Sequence, residues 1–205
     1  VNLAVASDVA PIVSPAWAVV DPVTVLARDP RQDEPLRQAA AMMRARTESA
    51  DITAAVRTMY KRVGIDPTKT RPSSEALLRR VRKGDELPRI NSLVDVINWC
   101  SLESQLPFGL YDLNHVRGDV TLRLGREGEE YAGIRKDVVH VGGRLTLADA
   151  EGPFGNPTSD SARTMVTTAT SRALVVIFAP AGLAKTIAGG ALAMTVDRIR
   201  SFGAA

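Results

Sequence analysis

The stretch INSLVDVINWCSLESQLPFGLYDL, Ile90 to Leu113, decides the fold. Leu93, Val96, Ile97 and Cys100 recur at helical spacing, so one face of a helix is apolar and must be covered. Ser92, with Asp95 three residues on, reads as a capping-box-like start, and Pro107 ends the helix in a Pro-Phe-Gly bend with a short apolar exit. Asparagine, serine and carboxylate groups punctuate the stretch, and it has no histidine.

On its N-terminal side, Ala16 to Ala27 is β-branched and apolar, a first strand with Pro22 as a bulge or edge break. Pro35 suits a first helical turn, and Leu36, Ala39, Ala40 and Met43 share one face behind it. A second helix carries Ile52, Val56, Met59, Tyr60 and Val63 and stops at Gly64. A third starts at Pro72-Ser73, has Glu75 in its first turn and bases in its last, and ends before Gly84.

On the C-terminal side the period changes to two. Val120, Leu122 and Leu124 alternate with polar neighbours, and VVHVGGRLTLAD predicts a hairpin about Gly142-Gly143. EGPFGNPTSDS reads as a loop of turn formers. RALVVIF is too uniformly apolar to have a wet face and predicts a central strand, and a helix from about Leu183 to Arg200 closes the chain. The expected fold is α+β: a mixed, mainly antiparallel sheet packed with N-terminal, central and C-terminal helices, in one domain over 1–205.

Composition excludes several classes. With 45% hydrophobic residues the 205-residue chain can bury a real core. A single cysteine, Cys100, rules out an internal disulfide, and with two histidines it cannot supply an ordinary zinc site. The opening residues make a poor signal peptide, and the apolar run after Ala173 is divided by Pro180 and Gly182 into a strand half and a helix half, so no membrane span is expected and a cytoplasmic setting fits. There is no G-x-S-x-G or H-E-x-x-H; GLAKT lacks the spacing of a phosphate loop, and the acids of GREGEE would repel a pyrophosphate. No cofactor or metal is called for.

The net charge of +3 is mild, but it is unevenly placed. Between Lys61 and Arg89 bases outnumber acids by more than in the whole chain, with Lys69, Arg71, Arg79, Arg80, Arg82 and Lys83 leading the excess. The plain reading is a solvated face with helix C-terminal cations; the functional one is a surface for phosphates. Few aromatics accompany it, so base stacking is not indicated.

Taken in order, RINSLVDVINWCSLESQLPFGLYDLNHVRGDVTLRLGREGEEY, ADAEGPFG and MVTTATSRALVVIF resemble the tRNA-binding and editing domain of the bacterial phenylalanyl-tRNA synthetase β chain, clearest over 71–180. That family has I-N-x-x-V-D-V-x-N, then L-E-x-x-x-P-x-H-A-[FY]-D-L, then R-x-A-x-E-G-E. RPSSEALLRR and GNPTSDS resemble its free-standing relatives. The resemblance implies hydrolysis in trans of a mischarged aminoacyl-tRNA, a second sieve for what an activation pocket rejects poorly. It implies tRNA as the partner, with the basic segment meeting its phosphates. It places Asn98 at the family's site asparagine, and Gly109 where the β chain has its pocket histidine. The family's Gly-Gly-Glu loop is replaced by residues 155–161, where Asp160 stands in for the carboxylate and Ser159 and Ser161 are candidates to orient water. The pocket would then comprise Asn98, Phe108, Gly109 and Leu110 facing Asn156, Thr158 and Ser161, with Asp160 and Ser159 as catalytic groups.

Plainer readings stand beside these. Asn98 reads equally as a cap or a bridge to a neighbouring loop, Asp112 as a turn cap, His115 and His140 as surface or strand residues, and Cys100 as core. Asn156, Thr158, Ser159 and Asp160 are ordinary loop formers that bond their own backbone. A non-catalytic tRNA-binding module and an amino-acid or small-molecule binding protein remain the alternatives, and the oligomeric state is open.

Overall fold

Residues 173–177 have no polar position, so as a strand they demand hydrocarbon on both faces, and the computed structural model buries all five. The structure describes residues 1–46, 50–135 and 138–203. In chain order the elements are β1 (Leu3–Val5), β2 (Ala16–Val20), α1 (Asp33–Ala45), α2 (Ala50–Arg62), α3 (Ser73–Arg82), α4 (Ser92–Ser104), β3 (Phe108–Asp112), β4 (Val120–Leu124), β5 (Glu130–Tyr131), β6 (Val139–His140), β7 (Leu145–Asp149), β8 (Gly152–Gly155), β9 (Ala173–Ile177) and α5 (Lys185–Gly203). β9 lies between antiparallel β2 and β3, which leaves β3 at a sheet edge. A second sheet runs β1-β4-β7-β8, with β1 parallel to β4 and the other pairs antiparallel, and β5 pairs with β6. The fold is α+β, as the sequence predicts.

Burial follows the predicted stripes. Leu36, Ala39, Ala40 and Met43 of α1 form a cluster with Leu78 and Val81 of α3, and Val56, Met59 and Tyr60 of α2 join the main core. Helix α4 bridges the two clusters: Leu93, Val96, Ile97 and Cys100 enter the main core, while Trp99 and Leu102 enter the other. α5 packs on α4 and β2, and Arg198 lies 3.7 Å from the Trp99 ring centroid while pairing with Glu103 at 2.7 Å. Among the described residues no helix is long and apolar enough to cross a membrane. The apolar run after Ala173 is β9 followed by α5.

The start of α4 corrects the sequence reading. Its cap is Asn91, whose side chain accepts from the amides of Leu93 and Val94. Ser92 is already helical; its hydroxyl accepts from the Leu26 amide and its carbonyl accepts from Gln32 Nε2. Asp95 does reach back, to the Ile90 amide at 2.8 Å, and it also holds Arg89 Nε at 2.6 Å. Arg89 then bonds Asp33 of α1 and the Asp29 carbonyl, so one guanidinium ties α4 to α1. At the other end Gln105 takes the left-handed conformation, φ 59°, ahead of Pro107.

Three further expectations change. The first strand stops at Val20, with the Asp21–Pro22 peptide cis. The hairpin about Gly142-Gly143 does not form. β6 pairs with β5, and β7 pairs with β4 and β8, because the turn is bonded to Gly125: the Gly143 amide donates to the Gly125 carbonyl and the Gly125 amide to the Arg144 carbonyl. Part of the predicted loop, Gly152–Gly155, is strand β8, held on β7 and pinned by the fully buried Phe154.

Replacing the α4 cap with Asn91→Ala is expected to cost about 1 kcal/mol, read as a lower urea midpoint at unchanged slope. An unmoved midpoint would remove the cap from this account of the helix start.

Candidate functional site

Edge strand β3 leaves a cavity of about 480 Å³ on its flank. Helix α4 turns Val94, Ile97, Asn98 and Ser101 toward it, the i, i+3, i+4, i+7 stripe of one helical face. β3 contributes Phe108 and Leu110, alternate residues of a strand, and α3 contributes Ser73 and Leu77 from its first turns. The loop 156–160, Met165-Val166, Pro88, Ile90 and Ile134-Arg135 complete the wall. Of the residues named from sequence, Asn98, Phe108, Leu110, Asn156, Thr158, Ser159 and Asp160 therefore border one space. The Asn98 side chain makes no hydrogen bond to a described residue, so it is neither cap nor bridge there.

Two named residues do not line the cavity. Ser161 is 2% exposed; its hydroxyl pairs with that of Thr164 and its amide donates to the Phe154 carbonyl. Gly109 is on the opposite strand face from Phe108 and Leu110, and the Tyr111 phenol covers it. A Cβ at Gly109 would stand 2.2 Å from Tyr111 Oη, and one at Gly155 would stand 2.4 Å from the same ring. Both glycines leave room for that ring, which meets Phe154 edge-on at 5.0 Å.

The loop is stiffened from inside. Asn156 Oδ1 accepts from the Thr158 and Ser159 amides, its Nδ2 donates to Tyr131 Oη, and Gly155 bridges to Asp160. Tyr60 of α2 donates to the Pro157 carbonyl at 2.9 Å, and burial pushes its own phenol up to about 12. Asn156 is therefore the loop former of the plain reading. Asp112 also takes its plain role, capping a turn by accepting from the Asn114 amide, while His115 and His140 are exposed and Cys100 is core.

Electrostatically the site centres on Asp160. Burial pushes its carboxyl up to about 7, and the neighbouring Tyr111 phenol draws it partly back. Tyr111 is fully buried, and its own ionisation is pushed well above the usual phenol range, first by burial and then by the Asp160 charge. Although the two groups feel each other, Asp160 Oδ1 and Tyr111 Oη are both shut from solvent without a hydrogen-bond partner among the described residues. Tyr111 and Tyr131 escaped the sequence reading, and Tyr60 was read only as part of a helix's apolar face. The one signal was glycine inside strand-forming sequence at 109 and 155.

The basic segment divides. Arg89 is inside, on Asp33 and Asp95, and Arg71 shares Glu75 with Arg57. Arg80 bonds the Glu86 carbonyl and Arg82 the Arg46 carbonyl, and Lys69 is exposed. Arg71, Arg79, Arg82 and Lys83 border a second hollow of about 630 Å³, with Arg57 and Glu75. Helix α3 is the wall between the two spaces: Ser73 and Leu77 face one, Arg79 and, just past the helix end, Lys83 the other. Among the described residues no three His, Cys, Asp or Glu side chains come together as metal ligands.

An unfolded Asp160 would titrate near 4, so between about pH 4 and 7 the folded protein keeps a proton that the unfolded chain releases. This group's contribution to stability falls as pH rises through that window and is level above it. The urea midpoint of Asp160→Asn should therefore gain on the wild type from pH 4 to 7 and run parallel beyond. Curves that stay parallel throughout would return the carboxyl to the ordinary range.

A family model described as the B3/4 domain matches residues 55–192. The chain is similar to the phenylalanine–tRNA ligase beta subunit of Bartonella henselae, 34% identical over 64 residues, 31% of this chain and 8% of that protein. The beta subunit of Paramagnetospirillum magneticum is 32% identical over 90 residues, 38% of this chain and 11% of that protein. Such matches span about a tenth of the relatives' length. An N-terminal fragment of the phenylalanyl-tRNA synthetase beta subunit from Pyrococcus horikoshii shares the fold, with TM-score 0.51 and 14% identity over 98% of this chain and 48% of the fragment.

Proposed function

The chain belongs to the B3/4 domain family, and from that premise we propose that its cavity receives the aminoacylated 3′ end of a tRNA and hydrolyses the ester there in trans. One observation carries the reading. The bend after α4 and the loop 156–160, which sequence alone could only name, face each other across a space of about 480 Å³ that contains a carboxyl. The tRNA partner comes from the relatives, whose names are those of a tRNA ligase subunit. A cytoplasmic location goes with it.

The reaction needs little machinery. Water adds to the ester carbonyl and gives up a proton, the oxyanion collapses, the bond to the ribose oxygen breaks, and that oxygen takes the proton the water released, leaving the free amino acid and a 3′-terminal ribose hydroxyl. Asn98 offers an amide to the oxyanion; Asp160, with Ser159 beside it, is the catalytic candidate. Ile97, Phe108 and Leu110 make the wall apolar, and Asn98 and Ser101 interrupt it, which suits a sieve that sorts side chains by size and one polar group. With α3 as the shared wall, phosphates held by Arg79 and Lys83 would deliver the strand end across the helix.

A second reading, a tRNA-binding module without catalysis, is favoured by Gly109: it is turned from the cavity, and neither histidine lines the wall. A panel of mischarged tRNAs separates the two. At least one pair should be deacylated tenfold or more above its spontaneous rate, and Asp160→Asn should lose about 100-fold of that. If no pair exceeds the spontaneous rate, the hydrolase reading fails. Binding should weaken steeply with salt in either case, and Arg79→Ala or Lys83→Ala should each flatten the log–log slope by about 1.

A further inference from the structure

Two charged side chains border the cavity among its described lining residues: Asp160, deep on the loop wall, and Arg135, exposed at the rim. Arg135 makes no ion pair with a described residue. The other lining residues carry no charge, only hydrocarbon, amide, hydroxyl and one thioether. The carboxylate is also directional. Oδ1 is shut from solvent, while Oδ2 is not, and it makes no hydrogen bond to a described residue.

Holding it that way takes a built support. The Tyr111 ring is fully buried behind Asp160, lodged where side chains at Gly109 and Gly155 would collide with it, and braced by Phe154. The loop carrying Asp160 is tied to Tyr131 and Tyr60. A buried carboxyl is costly, and the Tyr111 phenol relieves it only in part. A cation entering the cavity would relieve it.

We propose that Asp160 is the seat of a primary ammonium group and Arg135 the cationic seat of the carboxyl group beside it, so that the cavity takes an α-amino acid unit by its unblocked amine, with Tyr111 as the positioning residue behind the carboxylate. The amine end lies against Asp160, the carboxylate or ester carbonyl is directed toward Arg135, and the side chain lies among Ile97, Phe108 and Leu110. This rests on the proposed function only in taking the cavity as the amino-acid site. It assigns Asp160 to gripping the substrate, so the ester is presented in one orientation to water. It also states a chemical requirement: an acylated amine has no charge for Asp160 and does not fit.

Calorimetric titration of the full chain with leucine and phenylalanine, each beside its N-acetyl form, tests the seat. The free amino acids should bind and the N-acetyl forms should bind at least tenfold more weakly. Affinity should rise about tenfold between pH 6 and 8 as Asp160 ionises, with Tyr111 and Tyr131 the titratable groups beside it and Arg135 the other charge on the cavity. Asp160→Asn should lose both the affinity and the rise, and Asp160→Glu should restore part of each. Tyr111→Phe, losing the phenol that draws the carboxyl down, should move the rise to higher pH, which a merely structural role would not do. Equal binding of acetylated and free forms, indifference to Asp160→Asn in a variant that unfolds like wild type, or no binding of either amino acid would overturn the seat. If small amines fail while a mischarged tRNA is still deacylated, the hydrolase reading stands without it; if they bind and no ester turns over, the seat stands without the hydrolase.

Discussion

The Tyr111 ring joins the two main sheets, and most of what is distinctive about the molecule follows from fitting it. It projects from edge strand β3, meets Phe154 of β8 and fills the space above Gly109 and Gly155. That packing fixes β3 against the second sheet while leaving its other face, Phe108 and Leu110, free to line a cavity. It also sets the ground on which the loop 156–160 is built, because Gly155 is both the clearance for the ring and the bridge partner of Asp160. A larger residue at either glycine would collide with the ring at sub-van der Waals distance.

Charge is distributed with similar economy. Most arginines near the α1–α3–α4 junction are committed to structure: Arg89 to Asp33 and Asp95, Arg57 and Arg71 to Glu75, Arg198 to Glu103 and the Trp99 face. Arg89 holds its fully buried partner Asp95 close, so removing Arg89 would leave an uncompensated carboxylate inside. What remains for a polyanion is narrower than a count of bases suggests, and it is concentrated on the exposed side of α3. The same helix gives its other face to the cavity, so polyanion binding and ester binding would be geometrically linked through one rigid element.

The amphipathic helices were legible because a 3.6-residue period has one solution: Leu36, Ala39, Ala40 and Met43, or Leu93, Val96, Ile97 and Cys100, must share a face and be covered. The uniformly apolar Ala173–Ile177 announced itself as a central strand for the same reason. Caps and turns were less legible. Asn91, Ser92 and Asp95 are all good helix starters, and the choice among them was made by distant partners, Leu26, Gln32 and Arg89. The Gly142-Gly143 turn has hairpin chemistry, yet Gly125, far along the chain, takes its hydrogen bonds.

The site divides along the same line. The sequence by itself determined the α+β class, the helix faces, the central strand, the positions of the bend and the loop, and a likeness sufficient to name Asn98 and Asp160 together. The tertiary structure decided that Phe108, Leu110 and Asp160 share a cavity while Gly109 and Ser161 do not, that a phenol stands behind the carboxyl, and that Arg135 borders the same space from the segment bonded to Asp160. Periodicity is a local property, carried by each residue and its near neighbours along the chain. Which strand face meets which helix, and which carboxyl loses its water, depends on groups far apart in sequence whose approach is set only when the whole core closes.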